Sequence, residues 1–134
     1  MLALARNHGQ GSIFLKDIVE RERLPATYLE QLMVLLRKAG IVQGVRGAKG
    51  GYTLSRPPAE IPVLVILEAL EGPLRLAECP GGSGCCGQAE TCALRGLWDE
   101  GGQSLATLYR GITLATLLER QQAKECPPSL HYSI

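Results

Sequence analysis

The segment that most constrains this chain is Arg46-Gly47-Ala48-Lys49-Gly50-Gly51. It lies between two short β-prone runs, Ile41–Val45 and Tyr52–Ser55. Glycines supply the positive φ values of a tight tip, so the whole reads as a narrow β-hairpin. Its tip carries two cations, Arg46 and Lys49, and little other side-chain bulk. Such a tip can approach phosphates or place an arginine in a minor groove.

What precedes the hairpin narrows the fold further. Pro25 and Thr27 open a helix that runs through Ala39, with Gly40 at its C′ position. Leu29, Leu32, Met33 and Leu36 form its apolar stripe, at i, i+3, i+4 and i+7. Thr27, Glu30, Gln31, Val34, Arg37 and Lys38 fall on the opposite face. Before it, Leu15, Ile18 and Val19 mark a short amphipathic helix over 15–23. Residues 2–7 read as the end of an apolar helix that starts abruptly at Met1, as if truncated, and is ended by Gly9 and Gly11. Helix, tight break, helix and basic hairpin is the order of a winged helix-turn-helix, whose second helix enters the DNA major groove. The fold class expected is therefore mainly α with a small β-hairpin.

Charge agrees locally rather than globally. The formal net charge is only +1. Residues 1–60 carry nine Lys/Arg against five Asp/Glu, whereas residues 61–134 carry five against eight. Between 31 and 59 stand Arg37, Lys38, Arg46, Lys49 and Arg56, with no acidic residue. A basic patch on a near-neutral protein is the footprint expected of a nucleic-acid binder.

The second half is organised differently. Pro62 starts, and Gly72-Pro73 stops, a helix over Val63–Leu70 that is apolar all round and expected to be buried on most sides. A helical pattern after residue 92 places Leu94, Leu97, Trp98, Leu105, Leu108 and Ile112 on one side. Gly101-Gly102 interrupts it at a cost of roughly 2 kcal/mol relative to alanine, predicting a bend or a close approach to a partner helix. Thr113 caps a last helix, 114–121, and residues 124–134 read as a tail. The organisation expected is a DNA-binding unit over 1–72, a cysteine loop over 73–92, dimerisation and docking helices over 93–123, and the tail.

Four of the five cysteines fall between 79 and 92, in a glycine-rich stretch. An odd, tightly spaced set without an export signal argues against a disulfide framework. Thiolates are soft ligands for iron–sulfur clusters and zinc, but the short C-x2–4-C pairs of zinc sites are missing. Cys79, Cys85, Cys86 and Cys92 are the candidate metal ligands, and only one of the adjacent Cys85 and Cys86 is expected to serve. Free thiols remain the alternative, and Cys126 is not expected to ligate. No apolar run reaches the ~18 residues of a membrane span, and the start lacks signal-peptide features, so a cytoplasmic protein off the membrane is expected. No phosphate loop, nucleophile–base pair or paired carboxylates point to an enzyme.

Three blocks carry a family resemblance. They are Tyr28–Pro57 (YLEQLMVLLRKAGIVQGVRGAKGGYTLSRP), Ala69–Leu74 (ALEGPL) and the cysteine stretch ending in CALRGLW at Trp98. Together they resemble the Rrf2 family of bacterial winged-helix transcription regulators, of the IscR, NsrR and CymR type. The resemblance spans Met1 to about Leu118. It implies a homodimer on double-stranded DNA, with a long helix after the cysteine loop crossing to its partner. It implies base-reading positions at Thr27, Tyr28, Glu30 and Gln31, a minor-groove arginine at Arg46, and phosphate contacts from Arg37, Lys38 and Lys49. In cluster-bearing members three cysteines hold a 2Fe–2S or 4Fe–4S cluster that senses iron, nitric oxide or redox state. Here those positions are Cys79, Cys85 or Cys86, and Cys92.

Three features depart from the family pattern. Members begin roughly a dozen residues earlier, about the length of one ordinary helix, and in some the extra stretch supplies an acidic fourth ligand. Arg95 stands where one branch has a histidine ligand, and a guanidinium cannot coordinate iron. Gly101-Gly102 lies within the expected dimer helix. The fourth ligand and the cluster type stay open, with His8 and His131 weak substitutes. So does a cluster-free regulator controlled by thiol oxidation or a partner protein, or a structural-zinc interaction module.

Overall fold

The computed structural model describes residues 1–48, 50–77, 87, 88 and 90–126. Helix α1 (Leu2–Arg6) precedes the pair α2 (Leu15–Glu22) and α3 (Ala26–Lys38). The hairpin follows as β1 (Val42–Val45) and β2 (Gly51–Leu54), then α4 (Val63–Glu71), α5 (Ala93–Gly111) and α6 (Leu114–Glu125).

The α2–α3 break is three residues, Arg23-Leu24-Pro25, and Arg23 adopts the left-handed conformation at φ 52°. Pro25 then precedes the first turn of α3 with extended backbone, as the sequence predicts. At the other end Gly40 takes φ 71°. Its N–H donates to the Arg37 carbonyl, and the Ile41 N–H donates to the Leu36 carbonyl, both at 3.0 Å. This is a Schellman closure. It turns the chain so that Ile41, fully buried, follows Leu36 into the core. Leu29, Met33 and Leu36 are buried, and Leu32 is half-buried.

Strands β1 and β2 pair antiparallel, with Val42 opposite Leu54 and Val45 opposite Gly51. A third segment joins the hairpin from the α1–α2 connection. Ile13 and Tyr52 exchange both backbone hydrogen bonds, at 3.0 and 2.9 Å, and Ser12 Oγ donates to the Gly50 carbonyl at 3.2 Å. The approach is close: Gly51 has φ 139°, and a Cβ there would lie 2.8 Å from the Ile13 carbonyl carbon. The tip-side half of the hairpin is thus fixed to the connection that leads into α2.

Helix α4 packs against α3 and α5. It is less covered than its composition predicts: only Leu64 and Ile66 are buried, and Val63, Val65 and Leu67 are half-exposed. Its two neighbours cover two sides, and the third is open in the single chain. The expected interruption of α5 does not occur; the helix runs unbroken through Gly101 and Gly102. A short backbone pairing ties the α5–α6 junction to the start of α4. The Val63 N–H donates to the Ile112 carbonyl and the Leu114 N–H to the Ile61 carbonyl, both at 2.8 Å. Leu114 and Ile61 are buried there.

Thr113 caps α6 as expected, its Oγ1 accepting from the Thr116 N–H at 3.2 Å. The helix extends to Glu125 rather than ending at 121, so Lys124 and Glu125 are helical, not tail. Arg6 at the end of α1 pairs with Glu125 at 2.5 Å, and Gln121 donates to the same carboxylate at 3.0 Å. The hydrogen bond from Arg6, then that from Gln121, holds the Glu125 carboxyl below the usual carboxylate range. Among the described residues no helix is long and apolar enough to cross a membrane.

Candidate nucleic-acid interface and cysteine segment

The buried stripe of α3 fixes which way its other face points. With Leu29, Met33 and Leu36 in the core, Thr27, Glu30, Gln31, Val34, Arg37 and Lys38 are all exposed. Tyr28 is exposed at the helix edge. Among the described residues, none of the side chains of Glu30, Gln31, Arg37, Lys38 and Arg46 has an ion-pair or hydrogen-bond partner. Their charges and hydrogen-bonding groups are available to an outside ligand.

The hairpin stands beside that face. Arg37 Cζ lies 3.9 Å from where a Cβ on Gly44 of β1 would be. The missing side chain at Gly44 lets the guanidinium lie along the strand. Arg46, exposed, follows the end of β1, and the tip turns through Gly47 at φ 110°, closed by the Gly50 N–H donating to the Gly47 carbonyl at 2.9 Å. Lys49 lies outside the described residues. Phe14, at the N-cap of α2, is exposed with the Lys16 ammonium 5.6 Å from its ring centre. The α3 face and the Arg46 side of the hairpin therefore present cations and hydrogen-bonding groups together.

Sequence reasoning identified the hairpin and the polar face, but not Ile13 as its third segment. A single β-branched residue in a glycine-rich connection has no periodic signal.

In the cysteine segment, Cys92 is exposed at the N-cap of α5, and Cys126 is exposed at the C-cap of α6; both are free thiols. Cys79, Cys85 and Cys86 lie outside the described residues, as does His131. Among the described residues no three His, Cys, Asp or Glu side chains come together as a metal site. Helix α5 buries none of its residues within the chain. Leu94, Leu97, Trp98 and Leu108 are 40–58% exposed on it, a large apolar area for one helix.

A helix-turn-helix with a basic hairpin held beside it by the α1–α2 connection defines a winged-helix protein of the transcription-regulator class. The family is equally plain. The chain belongs to the Rrf2 family, whose model, described as an iron-dependent transcriptional regulator, matches residues 1–120. It is 36% identical over 121 residues to the HTH-type transcriptional regulator IscR of Serratia proteamaculans, covering 90% of this chain and 73% of that protein. Among solved structures it is similar to T. potens IscR, with TM-score 0.75 and 36% identity over 93% of this chain and 82% of that one. It is also similar to CymR, the global cysteine regulator of B. subtilis, with TM-score 0.71 and 34% identity over 89% and 87%. The chain is a DNA-binding transcriptional regulator, not an enzyme.

Proposed function

We propose that the chain acts in the cytoplasm as a homodimer whose affinity for operator DNA is set by an iron–sulfur cluster on its cysteines. The observation that carries the DNA-reading part is the exposed, unpartnered row on α3 beside the locked hairpin. Thr27, Tyr28, Glu30 and Gln31 face the base edges in this reading. Glu30 accepts from a cytosine amino group and Gln31 pairs with adenine. Arg46 enters the adjacent minor groove, and Arg37, Lys38 and Lys49 hold phosphates.

The dimer is supported by α5. A helix of 19 residues with none fully buried in its own chain, yet carrying Leu94, Leu97, Trp98 and Leu108 exposed, is covered by a second copy of itself.

The cysteines suit the cluster by chemistry. Cys79, Cys92 and one of Cys85 and Cys86 supply thiolate, the donor that iron–sulfur clusters take. Cys92 is exposed at the head of α5, so its sulfur is accessible. A bound 2Fe–2S or 4Fe–4S cluster supplies a change of charge and redox state at that point. The chain's own part is mechanical: Cys92 heads the same helix whose far end is tied to α4 and α6. Ordering at the cysteines thus biases the placement of the two DNA-reading units.

The test is anaerobic purification followed by an absorbance spectrum, an iron and zinc count per chain, and titration of duplexes selected from a random library. Iron with visible bands, and DNA affinity that changes when the cluster is removed or when Cys92→Ala is made, is the expected result. Sedimentation should give a dimer, and Leu97→Asp a monomer with red-shifted emission from Trp98, the single tryptophan. A Cys92→Ala protein that keeps both cluster and response sinks the cluster assignment. A colourless, metal-free protein that still selects DNA points to the second reading, a cluster-free regulator controlled by thiol oxidation or a partner protein. Two observations favour that reading: the likeness to CymR, and Arg95 in the first turn of α5.

A further inference from the structure

Val34 is the apolar exception on the exposed face of α3. It is 49% exposed, although valine is a poor helix former and this one packs no core. A scattered surface valine needs no explanation by itself. Its position does. At 100° per residue, Val34 points within about 20° of the direction of Thr27, two turns further along, at the centre of the face bounded by Glu30, Gln31 and Lys38. Thr27, Glu30, Gln31 and Val34 form an i, i+3, i+4, i+7 row, the same spacing by which homeodomain recognition helices reach base edges.

Resting on the DNA-reading proposal above, we infer that Val34 is a specificity-determining residue that reads a thymine through its 5-methyl group. The chemistry allows little else. The isopropyl group has no donor or acceptor, and the thymine methyl is the apolar group that unmodified base edges offer in the major groove. Against a guanine or cytosine edge, the same side chain would strip water from polar atoms without replacing their hydrogen bonds. Cations close by hold the helix against the backbone, since the Arg37 and Lys38 side chains share the face and have no partner among the described residues. From Thr27 to Val34 the helix rises about 10 Å. At a base-pair rise of about 3.4 Å, the thymine read by Val34 lies about three steps from the pair that faces Thr27.

The experiment uses the full chain and duplexes that it selects from a random-sequence library. Each thymine of the selected site is replaced in turn by deoxyuridine, which removes only the methyl group. The wild-type chain is expected to lose about three- to fivefold in affinity at one thymine per half-site, the worth of one buried methyl. Val34→Ala should lose a similar factor on the unmodified site and become indifferent to uracil at that one position. It should keep the wild-type response at every other thymine. Val34→Thr, nearly the same shape, separates packing from hydrophobicity and should retain part of the discrimination. The inference is overturned if no uracil position couples to Val34→Ala, or if that variant binds the selected site as tightly as wild type. If no sequence is enriched at all, it is the DNA-reading assignment of the α3 face that fails, and Val34 falls with it. The uracil scan on the wild-type chain stands without any variant, so poor folding of one cannot shelter the claim.

Discussion

Leu76 fills the notch that Gly101 leaves in α5. A Cβ on Gly101 would lie 2.5 Å from Leu76 Cδ1, and one on Gly102 would lie 3.8 Å from the Leu74 carbonyl oxygen. The glycines thus serve a close approach to the chain's own segment leading into the cysteines. Gly101→Ala removes the helix penalty of glycine, about 1 kcal/mol, and displaces Leu76 at the same time. In the wild-type background the two effects offset, and the gain should fall short of that figure. In a Leu76→Ala background the full gain of about 1 kcal/mol should return. Urea unfolding of the four proteins measures both; equal gains in the two backgrounds would show that the notch does not hold Leu76.

Gly47 and Gly51 both have positive φ, but they differ in what surrounds them. A Cβ on Gly47 would meet no described atom within 4 Å, whereas one on Gly51 would meet the Ile13 backbone. Gly47→Ala should cost only backbone strain, of order 1–3 kcal/mol. Gly51→Ala should cost more, because it also pushes apart the Ile13–Tyr52 pairing. Hydrogen exchange at the Ile13 and Tyr52 amides should rise for the second variant alone. If both variants unfold at the same denaturant concentration with equal protection, the close approach contributes nothing.

Two exposed residues of α3 should fail in different ways. Arg37→Ala should weaken binding to every duplex alike and lower the slope of log affinity against log salt by about 0.9. Glu30→Ala should leave that slope in place and relax preference at one base pair, by about 1–3 kcal/mol. Salt titrations on selected and scrambled duplexes distinguish them. A sequence-selective loss from Arg37→Ala would move that residue from phosphate to base.

The Arg6–Glu125 pair ties the first helix to the last. Glu125 has its carboxyl held down in the folded chain, so its contribution is present above the unfolded carboxylate pKa and is lost as pH falls through the lower folded value. Glu125→Gln should lower Tm slightly at neutral pH and not at all in acid below that range. Added salt should shrink the neutral-pH difference, because Glu125 is exposed and Arg6 partly so. A difference that persists in acid would mean that the glutamine disturbs packing instead.

Local chemistry was legible where one residue decides one turn. Gly40 closes α3, Thr113 caps α6 and the glycines at 47–51 bend the hairpin, each as its residue type requires. The polar face of α3 was legible as the complement of Leu29, Met33 and Leu36. What escaped is non-local. Ile13 meets Tyr52 across 39 positions, and Leu76 meets Gly101 across 25, so no window of sequence holds both partners. The interruption expected at Gly101-Gly102 was a propensity argument, and packing against residues 74–76 overrode it. For α4, apolar composition predicted fuller burial than two neighbours in one chain can supply. Of the candidate cluster ligands, only Cys92 lies where the structure describes it.

The pairing of residues 61–63 with 112–114 makes α5 a beam held at one end. Its 19 residues span about 28 Å, and Cys92 stands at the far end, with no hold on it among the described residues. A sideways shift of about 2 Å at Cys92 is then only about 4° of rotation at the support. Leu76 adds a second prop about 15 Å from that support, leaving roughly the first eight residues of the helix to overhang. Small forces at the cysteine end therefore swing the overhang most easily. Such a swing reaches α3 by flexing the beam, by unseating Leu76, or through α4, which packs against both helices.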